Sequence, residues 1–338
     1  MVNDETSKFL KETLLAVVKE SLEKAESIEE ASEIIKKVEK IDLTNFFKKS
    51  YSELADSTLN YMKETMYEEV MFFRTEEQEF LSRQENSWCR AFVASEAMYI
   101  MVLQSAESYV KYVNELGEDL KCKKAYTFNA MLYIHGRALQ EYLEIITLMK
   151  NGFADGAYAR WRSMYELTVI SSFITEYGEE VARAYIEAYD TENRYEWARS
   201  SGIFSISKKY ISFNDIQKSC NINTVVWRKQ YDLANKIIHA SSQGTFSRLG
   251  NMGSNNVIAV GRSDYGITTP GEHSAISLAQ ITTMFYGIFP YGDGVVAMKY
   301  INGWIDVVRE MYFKTHDEIF PNDEPLWNDD QIKSKEKL

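Results

Sequence analysis

The spacing of apolar residues predicts helices along most of this chain. Segments such as KETLLAVVKESLEKA and EEASEIIKKVEKI place apolar side chains three and four residues apart, as on one face of an amphipathic helix. Neither glycine nor proline occurs before Gly117, and all four prolines lie at residue 270 or later. Because both residue types break helix interiors, their absence predicts long helices over residues 1–116. Capping-box patterns at Ser27–Glu30 and Thr75–Gln78 predict that helices begin there.

A second block of helices follows, and glycines separate them. The apolar periodicity and the glycine positions predict helices over 125–151, 154–177, 179–200, 222–241, 273–289 and 294–315. The segment 241–272 contains six glycines and predicts a long loop or a small β-hairpin with its turn near Arg262. We therefore expect an all-α, multi-helix bundle with this Gly-rich loop or hairpin inserted near 241–272.

The same pattern divides the chain into three parts. Residues 1–116 are expected to form a helical N-terminal extension that packs on the main domain or on a protein partner. Residues 117–315 form the helical bundle domain and carry most of the unusual polar residues. Residues 316–338 are expected to form a C-terminal tail.

Composition and charge narrow the function classes. Of the 338 residues, 45% are apolar, which is enough for a sizeable buried core. The formal net charge of −12 repels phosphate backbones and anionic membranes, so any contact with RNA has to be local. The uncharged run 274–292 contains hydroxyl and amide side chains, which predicts a buried helix and no membrane span. Three cysteines without metal or redox spacing, and no secretory signal pattern, favour the cytoplasm.

Common catalytic and cofactor motifs are absent from the sequence. There is no Gly-rich phosphate loop ending in Lys-Ser/Thr, no dinucleotide fingerprint and no His-Glu-x-x-His pattern. Only four histidines occur, and none is paired with a cysteine at ligand spacing. We therefore expect neither a metal nor a cofactor.

One candidate cluster lies in a predicted helix hairpin over residues 135–174, around Gly152. Its members are the charged residues Arg137, Glu141, Arg160, Arg162 and Glu166. Within each helix an arginine and a glutamate four residues apart share one face and can form an ion pair. These residues form either an ion-pair network that sets the helix register, or a cleft whose arginines bind an anionic group such as phosphate.

A second candidate cluster lies at the end of the predicted helix 222–241. Tyr231, Asn235 and His239 follow one another at intervals of four residues and therefore share a helix face. A histidine with a near-neutral pKa beside a loop is suited to general acid or base catalysis, with Tyr231 and Ser241 as binding residues. The alternative is a histidine that caps the helix or packs in the core.

The two clusters together resemble an uncharacterised bacterial all-α family, a domain of unknown function, over about 125–310. The residues that carry this resemblance are Arg137, Glu141, Gly152, Ala157, Arg160, Arg162, Glu166, Asn235, His239 and the segment 261–266. The segment around His239 is also similar to the motif of the HEPN superfamily (higher eukaryotes and prokaryotes nucleotide-binding), which is an arginine, a polar residue, three residues and a histidine. Asn235 and His239 match the last two elements, whereas Ala234 occupies the arginine position.

The resemblance implies a metal-independent endoribonuclease in bacterial anti-phage defence or toxin-type growth control, and a homodimer or higher oligomer. It implies that His239 acts as acid or base and that Asn235 orients the histidine or the phosphate. With Ala234 in the motif, the anion-binding arginine is expected from another helix, as Arg162 or Arg160, or from a partner subunit. RNA or a nucleotide would be the ligand.

Two other functions fit the same residues. The first is a non-catalytic module that recognises a nucleotide or a protein and serves as sensor or scaffold in a defence system. Its N-terminal helices would then contact a protein partner. The second is hydrolysis or group transfer on a small anionic substrate.

Overall fold

A computed structural model describes residues 5–40, 43–222, 224–238, 242–246, 249–250, 258 and 260–327 of the protein. Within these ranges the chain forms helices and no β-strand, so the predicted all-α class is confirmed. The α-helices are α1 (Glu5–Glu23), α2 (Ile28–Glu39), α3 (Leu43–Glu115), α4 (Glu118–Lys121), α5 (Ala125–Lys150), α6 (Ala154–Tyr177), α7 (Glu179–Glu187), α8 (Phe213–Lys218), α9 (Thr224–Ile238), α10 (Ser242–Phe246), α11 (Thr268–Tyr286) and α12 (Gly292–Ile319). Short 3₁₀ segments cover Cys122–Lys124, Ala188–Asp190 and Glu196–Ser201. None of the helices in the described ranges is long and apolar enough to cross a membrane.

The chain separates into two compact units, Met1–Glu77 and Gln78–Leu338. This boundary lies inside α3, well before the limit near residue 116 that the absence of glycine and proline suggests. The reason is that the later part of α3 belongs to the core of the second unit, where it buries large side chains such as Trp88, Phe92 and Tyr109. An uninterrupted helix therefore does not mark a domain limit.

The first unit contains α1, α2 and the beginning of α3. Ser27 caps α2 as predicted, since its Oγ accepts a hydrogen bond of 3.1 Å from the backbone N–H of Glu30. The second predicted helix start is wrong, because Thr75 lies in the interior of α3. There its hydroxyl donates to the carbonyl of Met71, four residues earlier, at 3.1 Å.

The second unit is a bundle built around the hairpin of α5 and α6, with α11 packed on the hairpin and α12 packed on α11. The hairpin turns at Gly152, whose φ is +75°. A Cβ at this position would lie 2.6 Å from the Phe80 ring and 2.9 Å from the backbone nitrogen of Ser263. Only glycine therefore fits the turn. The predicted limits 125–151 and 154–177 agree with α5 and α6 to within one residue.

The single helix predicted over 179–200 is wrong. α7 ends at Glu187, and Thr191 and Asn193 form local hydrogen bonds, to the carbonyl of Ala188 and to the carboxylate of Glu196. Side chains of these types offer the backbone an alternative to the helix, which explains the break. The short helix α8 is not predicted by apolar spacing, although Ser212 and Asp215 form a capping box at its start.

The segment 241–272 is more helical than its glycines suggest. α10 lies within it, and α11 begins at Thr268 because Pro270 occupies the first turn, where proline is tolerated. The predicted β-hairpin has no counterpart in residues 260–267, which form turns, and residues 251–257 and 259 lie outside the described part of the chain. The turn at Ser263 is held by its N–H, which donates to the carbonyl of Gly152 at 3.0 Å.

Candidate functional site

Arg162 joins the two sequence-predicted clusters. Its helix, α6, packs on α9, and its Nε donates a hydrogen bond to Oδ1 of Asn235. Its Nη2 donates to the hydroxyl of Tyr231 at 3.1 Å, and its Cζ lies 5.1 Å from the centre of the Tyr231 ring. The structure therefore places one arginine of α6 directly against the polar face of α9.

Ala234 and Asn235 lie on different faces of α9. Ala234 is fully buried, so a side chain at position 234 points into the core of the bundle. An arginine there would carry its charge away from the face that bears Asn235. The guanidinium of Arg162 lies on that face, and its side chain is 24% exposed.

Glu166 is the anionic centre of this cluster. It lies one turn after Arg162 on α6, and its side chain is only 6% exposed. Its Oε1 pairs with Nη2 of Arg162 and accepts a hydrogen bond from the Tyr231 hydroxyl, both at 2.8 Å. Its Oε2 accepts a hydrogen bond of 2.9 Å from Arg194. Two guanidinium groups share one carboxylate, so the cluster keeps an excess positive charge.

The ring of Tyr231 packs against other aromatic rings beneath the charged groups of the cluster. Its ring centre lies 5.3 Å from those of Tyr165 and Phe213. Burial, reinforced by the neighbouring carboxylate of Glu166, raises the pKa of the Tyr231 hydroxyl. The phenol therefore stays protonated and acts as a hydrogen-bond donor to Glu166.

Arg160 belongs to a different cluster, between α5 and α6. It pairs with Glu144 and lies 3.5 Å from Oε1 of the buried Glu141. The same oxygen accepts hydrogen bonds from Arg137 at 2.8 Å and from Ser163 at 3.1 Å. Among the described residues, Arg160 thus pairs with α5, whereas Arg162 contacts α9.

Glu141 is the most buried carboxylate of this second cluster, with a side chain that is 1% exposed. Burial raises its pKa, against the opposing effects of Arg160 and Arg137. Its Oε2 has no hydrogen-bond partner among the residues that the structure describes. All the hydrogen bonds and ion pairs of Glu141 in the described part of the chain are therefore made through Oε1.

His239 and Ser241, which were predicted as acid or base and as a binding residue, lie outside the described residues. Asn235, four residues before His239 in the chain, is described and half-buried. The residues of the candidate site that the structure brings together are Arg162, Glu166, Arg194, Tyr231 and Asn235.

Arg194 is the functional candidate that sequence reasoning missed. Its side chain is 70% exposed and reaches Glu166 from the turn between two 3₁₀ segments. The prediction of one regular helix over 179–200 gives Arg194 no special position. The polar run at 190–194, which breaks that helix, is the signal that could have drawn attention to it.

A separate cavity of about 450 Å³ lies where the first residues of α5 and α7 meet the end of α11. Its polar lining includes Lys123, Lys124 and Glu179. The Glu179 carboxylate accepts hydrogen bonds from the backbone N–H groups of Tyr126 and Thr127, at 2.6 and 2.9 Å. It thus caps α5 from inside the cavity. No group of three His, Cys, Asp or Glu side chains within the described ranges is placed to hold a metal ion.

The comparisons with known proteins bear on the α5–α6 hairpin. Residues 128–199 match the model of a family described as "Family of unknown function (DUF5677)". The matched region includes the arginines and glutamates of both clusters and ends before α9. No curated protein matches the chain. No solved structure matches it either.

Proposed function

We propose that the protein is a HEPN-like, metal-independent endoribonuclease. Its site combines Arg162 of α6 with Asn235 and His239 of the HEPN-like motif. The observation that carries this proposal is the hydrogen bond from Arg162 to Asn235. Through this bond the guanidinium of Arg162 provides a positive charge beside Asn235, whereas the arginine position of the motif is occupied by Ala234. We further propose that the protein works in the bacterial cytoplasm, in anti-phage defence or toxin-type growth control.

The proposed reaction is an intramolecular transesterification, in which the phosphorus exchanges its bond to the 5′ oxygen of the next nucleotide for a bond to the neighbouring 2′ oxygen. His239 takes the proton of a ribose 2′-hydroxyl, the 2′ oxygen bonds to the adjacent phosphorus, and the bond from phosphorus to the 5′ oxygen breaks. A proton returned to the 5′ oxygen completes the step, which leaves a 2′,3′-cyclic phosphate and a 5′-hydroxyl. Asn235 orients the phosphate or the histidine.

Arg162 is placed to stabilise the charge that builds on the phosphate oxygens. Its Nε and Nη2 are held by Asn235, Tyr231 and Glu166, whereas its Nη1 has no partner among the described residues. A guanidinium held on one edge and open on the other can donate to a phosphate without reorganisation. Arg194, which is 70% exposed on the other oxygen of Glu166, offers a second cation.

A second candidate function is non-catalytic recognition of a nucleotide or of a protein by the same cluster. The buried carboxylate of Glu166 favours it, because this group compensates one of the two arginine charges in the absence of any ligand. Such a site would bind an anion and serve as a sensor or scaffold. It would leave RNA intact.

Cleavage assays in EDTA separate these two functions. Purified protein is incubated with a single-stranded RNA and with DNA of the same sequence, and the ends of the products are analysed. We expect cleavage of RNA only, with 2′,3′-cyclic phosphate ends. The variant His239→Ala should cut at least about 10²-fold more slowly, as for loss of a general acid or base.

The same variants are expressed in a bacterium, and growth and total RNA are followed. Wild-type protein should arrest growth and fragment RNA, and His239→Ala should do neither. RNA that is bound but stays intact in both assays supports recognition and contradicts the ribonuclease. Equal cleavage of RNA and DNA would also contradict it, since DNA has no 2′-hydroxyl.

A further inference from the structure

The first part of α3 presents an apolar face to solvent. None of the described side chains between Lys8 and Glu77 is buried, so the part of the first unit that the structure describes has no core of its own. Several large apolar residues of α3 are nevertheless exposed, for example Leu59 at 52%, Met66 at 43% and Phe73 at 64%. Contiguous apolar surface of this kind marks an interaction site.

Five of these residues, together with Ala55, form one stripe along the helix. They are spaced three or four residues apart, which at about 100° per residue places them within an arc of about 80°. We call them the apolar stripe: Ala55, Leu59, Met62, Met66, Val70 and Phe73. The opposite face carries Ser57, Glu64, Glu68 and Thr75, together with the exposed side chains of Tyr61 and Met71. Such a 3-4 pattern is typical of a seam between two helices.

The charges at the two ends of the stripe indicate what covers it. Lys48 lies at its N-terminal end and Glu77 at its C-terminal end, both on the same face as the apolar residues. If the helix pairs with an identical helix in antiparallel orientation, each lysine meets a glutamate of the other copy. A parallel pair would instead place like charges together at both ends.

We propose that the apolar stripe is the contact surface for the same stripe of a second copy of the protein, in antiparallel orientation. One register satisfies both the charges and the apolar residues, and it pairs Lys48 with Glu77, Ala55 with Val70 and Leu59 with Met66. The two-fold axis then passes beside Met62. This assembly stands on the exposed face of α3 and does not depend on the proposed ribonuclease activity.

Sedimentation equilibrium of the full-length protein tests the association. We expect twice the mass of one chain for the wild type. The variant Met66→Glu should have the mass of one chain, because it buries a charge in the middle of the contact. The control Ser57→Glu adds the same charge to the opposite face and should leave the dimer intact. Circular dichroism reports whether all three proteins keep the same helix content.

A wild-type protein that is monomeric at tens of micromolar would overturn the proposal, because the stripe would then be covered by α1 or α2 or stay exposed. Equal dissociation by Ser57→Glu and Met66→Glu would overturn it as well. A dimer that persists in Met66→Glu would place the interface elsewhere.

Disulfide cross-linking tests the orientation. Cys89 and Cys122 are exposed and are first replaced by serine, whereas burial raises the pKa of the Cys220 thiol to about 12 and makes it unreactive. In this background, a mixture of Leu59→Cys and Met66→Cys proteins should form a cross-linked dimer on mild oxidation. Neither variant should form one alone. A cross-link in Leu59→Cys alone would show parallel helices and overturn the proposed register.

Discussion

Arg160 and Arg162 are two residues apart on α6 and have different surroundings. Both side chains are 24% exposed. Arg160 pairs with Glu141 and Glu144 on α5, and Arg162 pairs with Glu166 and contacts Asn235 on α9. Two positions along a helix correspond to a turn of about 200°, so the two guanidinium groups point to opposite neighbours. Sequence reasoning could not choose between them, and the packing does.

The substitution Arg162→Lys tests the role of the planar guanidinium group with its several N–H donors. Lysine keeps the positive charge but cannot donate to Asn235 and to a phosphate from one rigid plane. We expect the rate of RNA cleavage to fall by about 10²–10³-fold, as for the loss of one preorganised donor. Single-turnover rates at saturating RNA measure this loss without the contribution of binding.

The matched control is Arg160→Lys, on the same helix and with the same exposure. Its cleavage rate should stay within a few-fold of the wild-type rate, since its partners lie on α5. If Arg160→Lys lost as much activity as Arg162→Lys, the assignment of Arg162 to the phosphate would be contradicted.

At the scale of elements, α6 is the centre of the second unit. It packs on α5, α9 and α11. A fully buried tryptophan on α6, Trp161, donates from its Nε1 to Ser277 of α11 at 3.1 Å. A helix that is covered on several sides cannot rotate without breaking these contacts. The position of Arg162 is therefore fixed by the packing of the whole hairpin.

The close contact of α11 and α12 leads to a prediction on two glycines. A Cβ at Gly271 would lie 2.6 Å from the buried ring of Tyr312, whereas a Cβ at Gly303 meets no atom within 4 Å. Gly271→Ala should lower the free energy of unfolding by about 1–3 kcal/mol, because overpacking outweighs the better helix propensity of alanine. Gly303→Ala should raise it by about 0.5–1 kcal/mol through that propensity alone.

Urea unfolding followed by circular dichroism measures both changes. The two variants add the same methyl group to neighbouring helices, so each is the control of the other. A stabilised Gly271→Ala protein would mean that Tyr312 moves aside at little cost.

At the scale of the whole molecule, the net charge of −12 opposes binding of RNA except at local positive sites. The cluster around Glu166 is such a site, because Arg162 and Arg194 outnumber its carboxylate. Dimer formation through the apolar stripe would provide two copies of the cluster in one particle. A longer RNA could then contact both copies at once.

Stability at acidic pH depends on a histidine in the core. Burial lowers the pKa of His135 from 6.5 to about 4. The unfolded chain therefore binds a proton at this residue between about pH 6.5 and 4, while the folded protein does not. Stability falls as the pH falls through this window, by up to about 3 kcal/mol at its acidic end. The variant His135→Gln has no such group and should lose less stability over the same range.

Urea unfolding of both proteins at pH 7 and at pH 4.5 measures the difference. Since Nε2 of His135 lies 3.0 Å from the hydroxyl of Thr282, the variant starts from a lower stability at pH 7. The prediction concerns the change in the free energy of unfolding between pH 7 and pH 4.5, and not its value at pH 7. Parallel losses in the two proteins would show that His135 contributes nothing to it.

Helix ends that are marked by glycine could be predicted from the sequence, whereas an end that depends on local side-chain hydrogen bonds could not. The limits of α5 and α6 were predicted to within one residue, because Gly152 and Gly178 adopt positive φ values at the ends of clear apolar patterns. The break after α7 was missed, since it depends on local hydrogen bonds of Thr191 and Asn193 and not on glycine or proline. The boundary between the two compact units lies inside α3, where the apolar pattern gives no signal for it, because a continuous helix hides the change from exposed to buried surroundings.

The sequence by itself determined the helical class, the α5–α6 hairpin and the residue types of the candidate site. These features follow from the period of the apolar residues and from the conformational limits of glycine and proline, which act over a few neighbouring residues. Only the tertiary structure decided that Arg162 meets Asn235, that Arg160 pairs with α5 and that Arg194 joins Glu166. These contacts join residues up to 73 positions apart, and they depend on how whole helices pack, which no local pattern encodes.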